Sequence, residues 1–222
     1  MNLLALETAT EACSAALLMG DEVLERFQVS PRGHSQLILP MVDELLAEAG
    51  ITIQQVDGIA FGRGPGAFTG LRIAVGVTQG IAFAADLPVI PVSTLAALAQ
   101  GCEANRVLAA IDARMDEVYW GVYQRNSSGW MTIEGVEEVL PPGEVPLPEG
   151  IDWFGAGSGW QSYGAVLETR CHQQLSGFDG QRLPRAGEVA QLGAVSFRAG
   201  DIVGAEQAMP VYLRDQVAWH KS

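Results

Sequence analysis

Residues 2–29 read NLLALETATEACSAALLMGDEVLERFQV, three apolar runs separated by two short polar steps. Residues 2–7 and 13–19 predict two buried strands joined by a tight polar loop. Gly20 and Asp21 predict a second turn, and residues 23–29 predict a third strand. The chain therefore begins with a three-stranded meander.

The segments after the meander alternate between helix and strand. Residues 35–49 carry apolar side chains at helical spacing, with Pro40 in the first turns and Gly50 as a stop, and predict an amphipathic helix. Residues 141–148 hold four prolines and predict a surface connector. The patterns predict further strands at residues 56–61, 87–92, 106–112, 117–124 and 153–154, helices at 68–85, 94–100, 161–169 and 187–199, and an extended piece at 211–214. This order indicates an α/β protein of two lobes, residues 1–101 and 102–222.

Composition and charge exclude several classes of function. The 222 residues include 26 acidic and 13 basic side chains, a net charge of −13, with 48% hydrophobic residues. A chain of this length can bury a core without disulfides or metals. Its single lysine is Lys221, so tight nucleic-acid binding by the isolated chain is disfavoured, and a P-loop lysine is excluded.

Cysteine usage and hydropathy predict a cytoplasmic protein without a membrane span. The N-terminus lacks a basic region and carries Glu7 and Glu11, unlike a signal peptide. The apolar run at residues 67–85 is too short and too polar to span a membrane comfortably. The three cysteines are far apart and form no CxxC pair, which fits a reducing compartment: Cys13, Cys102 and Cys171.

The strongest local signal is GRGPGAFTGLR at residues 62–72, between a predicted strand and a predicted helix. Free backbone N–H groups at Gly62, Gly64 and Gly66 could hold an anion. The alternative is a tight turn with close helix packing, where larger residues would not fit. The spacing matches neither GxGxxG nor GxxxxGK. Glu7, Thr8 and Thr10 could likewise present an acid and hydroxyls to phosphate and metal, or simply belong to a polar hairpin turn.

Other candidate residues give weaker signals. Ser158 in GAGSG resembles the GxSxG nucleophile pattern, but no Asp and His follow it convincingly. Acids near residue 112 lie where a strand turns, and most such acids are simply solvated. The three histidines are too scattered to predict a metal site: His34, His172 and His220.

Four segments together resemble the bacterial TsaB/YeaZ family of tRNA threonylcarbamoyladenosine biosynthesis. They are LALETATEACSAALL (residues 4–18), the stretch from HSQLILP to VSTLAAL (34–98), IDARMDEVYWGVY (111–123) and VYLRDQVA (211–218). The resemblance implies an ASKHA fold, related to actin and Hsp70. Such a fold has two RNase-H-like lobes with mixed sheets flanked by helices.

The resemblance also implies what the chain does. The family's catalytic relative, the threonylcarbamoyl transferase TsaD, carries an HxxxH metal motif that aligns with Thr94 and Leu98. Leu98 has no donor atom, so the resemblance implies no catalytic metal and no transfer by this chain. It implies instead a non-catalytic scaffold that pairs with TsaD and the pathway ATPase TsaE, meets tRNA only through that complex, and supports modification of adenosine 37. The alternatives are a stand-alone ASKHA phosphotransferase or ATPase, or a glycoprotease-like peptidase.

In the family, the helical layer of the first lobe pairs with TsaD, and a homodimer can use the same patch. No tightly bound cofactor is expected, although ATP or ADP could bind at the partner interface. The residues expected at or near the interface are Leu37, Met41, Leu45, Leu71, Arg72, Val75 and Gln79.

Overall fold

The computed structural model describes residues 1–214 and contains two five-stranded mixed sheets. The first has the order β3-β2-β1-β4-β5, with β1 Asn2–Glu7, β2 Ala12–Met19, β3 Glu22–Val29, β4 Gly58–Gly62 and β5 Val89–Val92. The second has the order β10-β9-β6-β7-β8, with β6 Arg106–Arg114, β7 Glu117–Arg125, β8 Met131–Leu140, β9 Trp153–Ala156 and β10 Leu175–Asp179.

Both sheets follow one topology. Three antiparallel strands come first along the chain, and two parallel strands then join the side of the first strand. The two halves of the chain therefore repeat one arrangement. This confirms the ASKHA fold of two RNase-H-like lobes with mixed sheets that the family resemblance implies.

Five helices cover the sheets: α1 His34–Ala49, α2 Phe68–Ala85, α3 Thr94–Gln100, α4 Ser158–Cys171 and α5 Ala186–Ala199. Leu4 and Leu6 of β1 pack in the cluster that includes α1 and α2, whereas Leu3 and Ala5 pack against α5. The first sheet is thus buried on both faces, which is why its inner strands are continuous apolar runs. By length and composition alone, α2 is the one described helix that could cross a membrane; it packs on this sheet.

Helices α3 and α5 each pack on the sheet of the other half. Leu95 and Leu98 of α3 lie in a cluster with Val107 and Ala109 of β6. Helix α5, which follows the last strand of the second sheet, packs instead on β1, β2, β4 and β5. The predicted boundary near residue 102 falls between the two sheets, and the division into residues 1–101 and 102–222 stays a prediction. Residues from each of the two stretches pack in the hydrophobic core of the first sheet and in that of the second.

Most predicted elements are present, and the differences have local causes. Helix α1 runs through Pro40 and ends at Gly50, whose φ of 66° is left-handed. Helix α4 begins at Ser158, three residues earlier than predicted. Strands β8 and β10 are not predicted. Residues 132–136 of β8 are all exposed and give no alternation, and β10 has only five residues, one of them Gly177. Residues 211–214 form no strand in the structure.

Candidate functional site

The polar loop after β1 packs directly against the glycine-rich loop after β4. These strands are parallel neighbours, so their carboxyl ends meet at one edge of the sheet. The Ala67 N–H donates to the Ala9 carbonyl at 2.7 Å, and the Thr8 hydroxyl donates to the Gly70 carbonyl at 2.8 Å. A Cβ on Gly66 would lie 2.5 Å from the Ala9 carbonyl oxygen. Here the glycines allow the close packing of two loops.

Glu7 is the buried centre of this site. Its side chain is 0% exposed, and its Oε1 accepts from the Ala9 N–H at 2.6 Å. Its Oε2 accepts from the Thr94 hydroxyl at 3.2 Å, and a Cβ on Gly62 would clash with the same oxygen. Burial raises the pKa of Glu7 to about 7, although these hydrogen bonds act to lower it. Glu7 therefore links β1, the glycine-rich loop and the start of α3.

The predicted phosphate-proximal groups lie together, and many of them already have partners. Thr8 and Thr10 are buried, and the Thr10 hydroxyl accepts from the Ala12 N–H at 3.4 Å. Gly62 and Gly64 are buried and Gly66 is half-buried, while the Gly64 carbonyl accepts from the Thr94 N–H at 3.0 Å. A phosphate-binding role for these loops stays a prediction.

His34 holds the same loop from the other side, a role that its sequence position does not reveal. It is the first residue of α1 and is buried. Its Nε2 lies 2.9 Å from the Thr10 carbonyl oxygen and 3.1 Å from that of Ala12. The histidine thus fixes the β1–β2 turn to the helical layer.

Thr94 and Leu98, which the family resemblance sets against the metal motif of TsaD, are both buried. Thr94 bonds to Glu7, as described above. Leu98 lies in the α3 cluster, where its Cδ2 would be 2.6 Å from a Cβ on Gly157. Within residues 1–214, no group of three or more His, Cys, Asp or Glu side chains is placed to hold a metal ion.

Ser158 and the acids near residue 112 have structural contacts. The Ser158 hydroxyl accepts from the Asp112 N–H at 3.1 Å, at the start of α4. The Ser162 hydroxyl donates to the Asp112 carboxylate at 3.2 Å. Glu117 pairs with Arg214. Asp112 and Glu117 are thus bonded within the fold, whereas Asp116 is exposed.

The expected interface residues of the helical layer differ widely in exposure, and their place at a partner interface stays a prediction. Arg72 is exposed and Leu37 and Gln79 are half-buried, with the Gln79 amide donating to the Ala208 carbonyl at 3.1 Å. The other four face the core and present almost no surface in this fold: Met41, Leu45, Leu71 and Val75. Helical periodicity identifies an apolar face, but it cannot show whether a sheet or a partner covers that face. Here the first sheet covers it.

The exposed surface of the helical layer consists of other residues. On α2 they recur three or four positions apart and form what we call the outer face of α2: Phe68, Arg72, Gly76, Gly80 and Phe83. Phe68 is 54% exposed and Phe83 is 63% exposed, and a Cβ on Gly76 or Gly80 would meet no atom within 4 Å. Leu39 of α1, 48% exposed, adds to this surface. The buried face of α2 has the same spacing, so spacing alone does not distinguish the outer face in the sequence.

Comparisons with known proteins agree on one family. The family model for TsaD, tRNA N6-adenosine threonylcarbamoyltransferase, matches residues 28–221. The tRNA threonylcarbamoyladenosine biosynthesis protein TsaB of Escherichia coli (strain K12) is 44% identical, over 100% of this chain and 98% of that protein. The Haemophilus influenzae protein of the same name is 40% identical, over 100% and 97%. The solved structure of YeaZ from Pseudomonas aeruginosa matches with a TM-score of 0.89 at 53% identity, over 96% and 99% of the two chains.

Proposed function

The chain belongs to the TsaB/YeaZ family of tRNA threonylcarbamoyladenosine biosynthesis proteins, and on that premise we propose that it acts as a non-catalytic scaffold subunit. In this proposal it supports the modification of adenosine 37 without carrying out the transfer. The observation that carries the proposal is the environment of Thr94 and Leu98.

A catalytic metal needs side-chain donors around an open coordination position. Leu98 supplies no donor and is 1% exposed within an apolar cluster. The Thr94 hydroxyl is already bonded to the buried Glu7 carboxylate, and its backbone N–H is bonded to the Gly64 carbonyl. Both residues therefore stabilise the junction of the two lobes, which suits a scaffold better than a transferase.

We propose the outer face of α2, with Leu39, as the docking surface for the catalytic subunit TsaD and for a second copy of this chain. Exposed aromatic rings beside small residues let another helix approach closely. Because both partners would use one surface, homodimer and heterodimer would compete for it. The ATPase TsaE would join the resulting complex.

The net charge of −13 favours contact with tRNA through the complex rather than by this chain alone. A nucleotide, if it binds, would sit at the partner interface as ATP or ADP, because the Thr8 hydroxyl and several loop amides already have partners within the chain. Calorimetry with ATP and magnesium should show weak binding to the isolated chain. Low-micromolar binding would instead favour an ASKHA phosphotransferase.

Reconstitution tests the scaffold role directly. Purified chain, TsaD, TsaE, tRNA, ATP and a preformed activated threonylcarbamoyl donor are combined, and threonylcarbamoyladenosine is measured by mass spectrometry after digestion of the tRNA. Omission of the chain should abolish the product, and the chain alone should neither form the product nor turn over ATP. Product formation or ATP turnover by the chain alone would contradict the proposal.

A matched pair of variants tests the docking surface. Gly80→Glu places a charge on the outer face of α2, and Gly164→Glu places the same charge on α4, where a Cβ meets only Phe178 at ordinary distance. Gly80→Glu should abolish binding to TsaD and self-association while the chain still unfolds cooperatively. Gly164→Glu should bind normally. Unchanged binding by Gly80→Glu would show that the proposed surface is wrong.

A further inference from the structure

The segment at residues 209–214, here called the strap, leaves the core after the buried Ala208. It begins just beyond the 3-10 turn Ala205–Gln207. Met209 is 63% exposed and Tyr212 is 41% exposed, and no residue of the strap is fully buried. Segments that bury little surface can detach at a small fraction of the free energy of global unfolding.

One end of the strap is attached to the glycine-rich loop of the first sheet. The Val211 N–H donates to the Arg63 carbonyl at 2.8 Å. The Val211 carbonyl oxygen lies over Gly64, 2.9 Å from the position that a Cβ there would take. The strap therefore covers the loop that packs against Glu7 and the β1–β2 turn.

The same end is also attached to the first turn of α2. The rings of Tyr212 and Phe68 lie with centroids 5.4 Å apart. The Arg72 guanidinium stacks 3.8 Å above the Phe68 ring, and its Nε donates to the Tyr212 hydroxyl at 3.4 Å. This exposed cluster of two rings and a cation belongs partly to the strap and partly to the outer face of α2.

The other end of the strap is attached to the second sheet. Arg214 forms an ion pair with Glu117, the first residue of β7. Its guanidinium also donates to the Arg114 carbonyl and contacts the Met115 sulfur, both at 3.3 Å. The turn between β6 and β7 contains three successive residues with positive φ, 62°, 57° and 59°, at residues 114–116. Residues other than glycine rarely adopt this conformation, so contacts around the turn are needed to hold it.

We propose that the strap is a releasable tie that couples the glycine-rich loop of the first lobe to the β6–β7 turn of the second. While both ends are attached, the two loops keep a fixed relative position. Helix α3 also joins the glycine-rich loop to the second sheet, through the Gly64–Thr94 hydrogen bond, so release of either end of the strap loosens the other loop without separating the lobes. Since Tyr212 shares its cluster with Phe68 and Arg72, contact at that exposed cluster would act on the distant turn.

Hydrogen exchange of the isolated chain, followed by NMR, tests the tie across the two lobes. Glu117→Gln removes the ion pair on the second sheet. Exchange is then measured in the first lobe, at the amides of Ala67 and Thr94, which donate to the carbonyls of Ala9 and Gly64. We expect exchange of both amides to accelerate at least fivefold. The matched control Glu22→Gln, an exposed residue of β3, should leave both rates within twofold of wild type.

The reciprocal variant Tyr212→Ala removes the contact on α2, and amides of the turn at residues 114–117 should then exchange at least fivefold faster. The double variant should add little to either single change, since one tie can be released only once. Effects confined to the mutated side would overturn the proposal. Loss of cooperative thermal unfolding in both single variants would also overturn it, because the strap would then be part of the core rather than a releasable tie.

Discussion

Replacing Glu7 by Gln should remove a large part of the pH dependence of stability. The carboxyl is fully buried, and burial raises its pKa from 4.5 to about 7. Within residues 1–214 no ion pair compensates its charge. The folded state therefore holds a proton that the unfolded chain releases at lower pH. The contribution of Glu7 to the free energy of unfolding should be most favourable below about pH 4.5 and should fall as the pH rises to about 7.

The shift in the pKa of Glu7 sets the size of the change in the free energy of unfolding. At 1.36 kcal/mol for each pKa unit, ionisation of Glu7 should lower the free energy of unfolding by about 3 kcal/mol between acid and alkaline pH. Glutamine has the same shape, can still accept from the Ala9 N–H, and can donate to the Thr94 hydroxyl. Glu7→Gln should therefore match wild type near about pH 4 and exceed its stability by up to about 3 kcal/mol near about pH 8.5.

Urea unfolding at a series of pH values, followed by tryptophan fluorescence, measures this difference. Glu22→Gln is the control, because it changes the net charge equally at an exposed position of β3. Its stability should follow the wild-type pH profile. Parallel profiles for wild type and Glu7→Gln across the whole range would refute the argument from burial.

Three further changes and one labelling experiment test the packing. Gly80→Ala should stabilise the isolated chain by up to about 1 kcal/mol, because its Cβ meets no atom and alanine favours helix, yet weaken self-association in analytical ultracentrifugation. Gly62→Ala should destabilise it by about 1–3 kcal/mol in urea, because its Cβ clashes with Glu7; wild-type stability would contradict that packing. Val75→Glu, at a site 8% exposed, should lower the free energy of unfolding by at least about 2 kcal/mol, and an unchanged urea midpoint would place Val75 outside the core. Burial raises the pKa of all three cysteine thiols to about 11, so iodoacetamide near neutral pH should label them only after unfolding, as mass spectrometry would show: Cys13, Cys102 and Cys171.

The first half of the fold could be predicted from the sequence because its local signals are strong. The meander alternates apolar runs with short turns, and α1 has a clear helical period ended by Gly50. The second half gives weaker signals. Strand β8 exposes residues 132–136, and β10 contains Gly177 in a five-residue strand. Pairing with a neighbouring strand, rather than local pattern, makes these segments strands.

The candidate site was predicted in its parts but not in its contacts. The glycine-rich loop and the polar turn both stand out in the sequence, yet their packing around Glu7 depends on parallel pairing of β1 with β4. Thr94, 87 positions from Glu7, gives no sign of its hydrogen bond to that carboxylate. For the same reason helical spacing alone predicts Leu45 and Val75 near an interface and cannot show that both pack in the core of the first sheet.

The crossing of α5 onto the first sheet has a consequence for how the protein is made. On the ribosome, β1 to β5 emerge first. The face formed by Leu3, Ala5 and Ile90 stays uncovered until α5 has been synthesised. At about 5–20 residues per second, synthesis of the intervening chain takes roughly 5 to 20 seconds. Throughout that interval the nascent chain exposes one hydrophobic face of the first sheet. Chaperones bind surfaces of this kind, and such surfaces promote aggregation. A shortened chain ending at residue 101 would display it permanently.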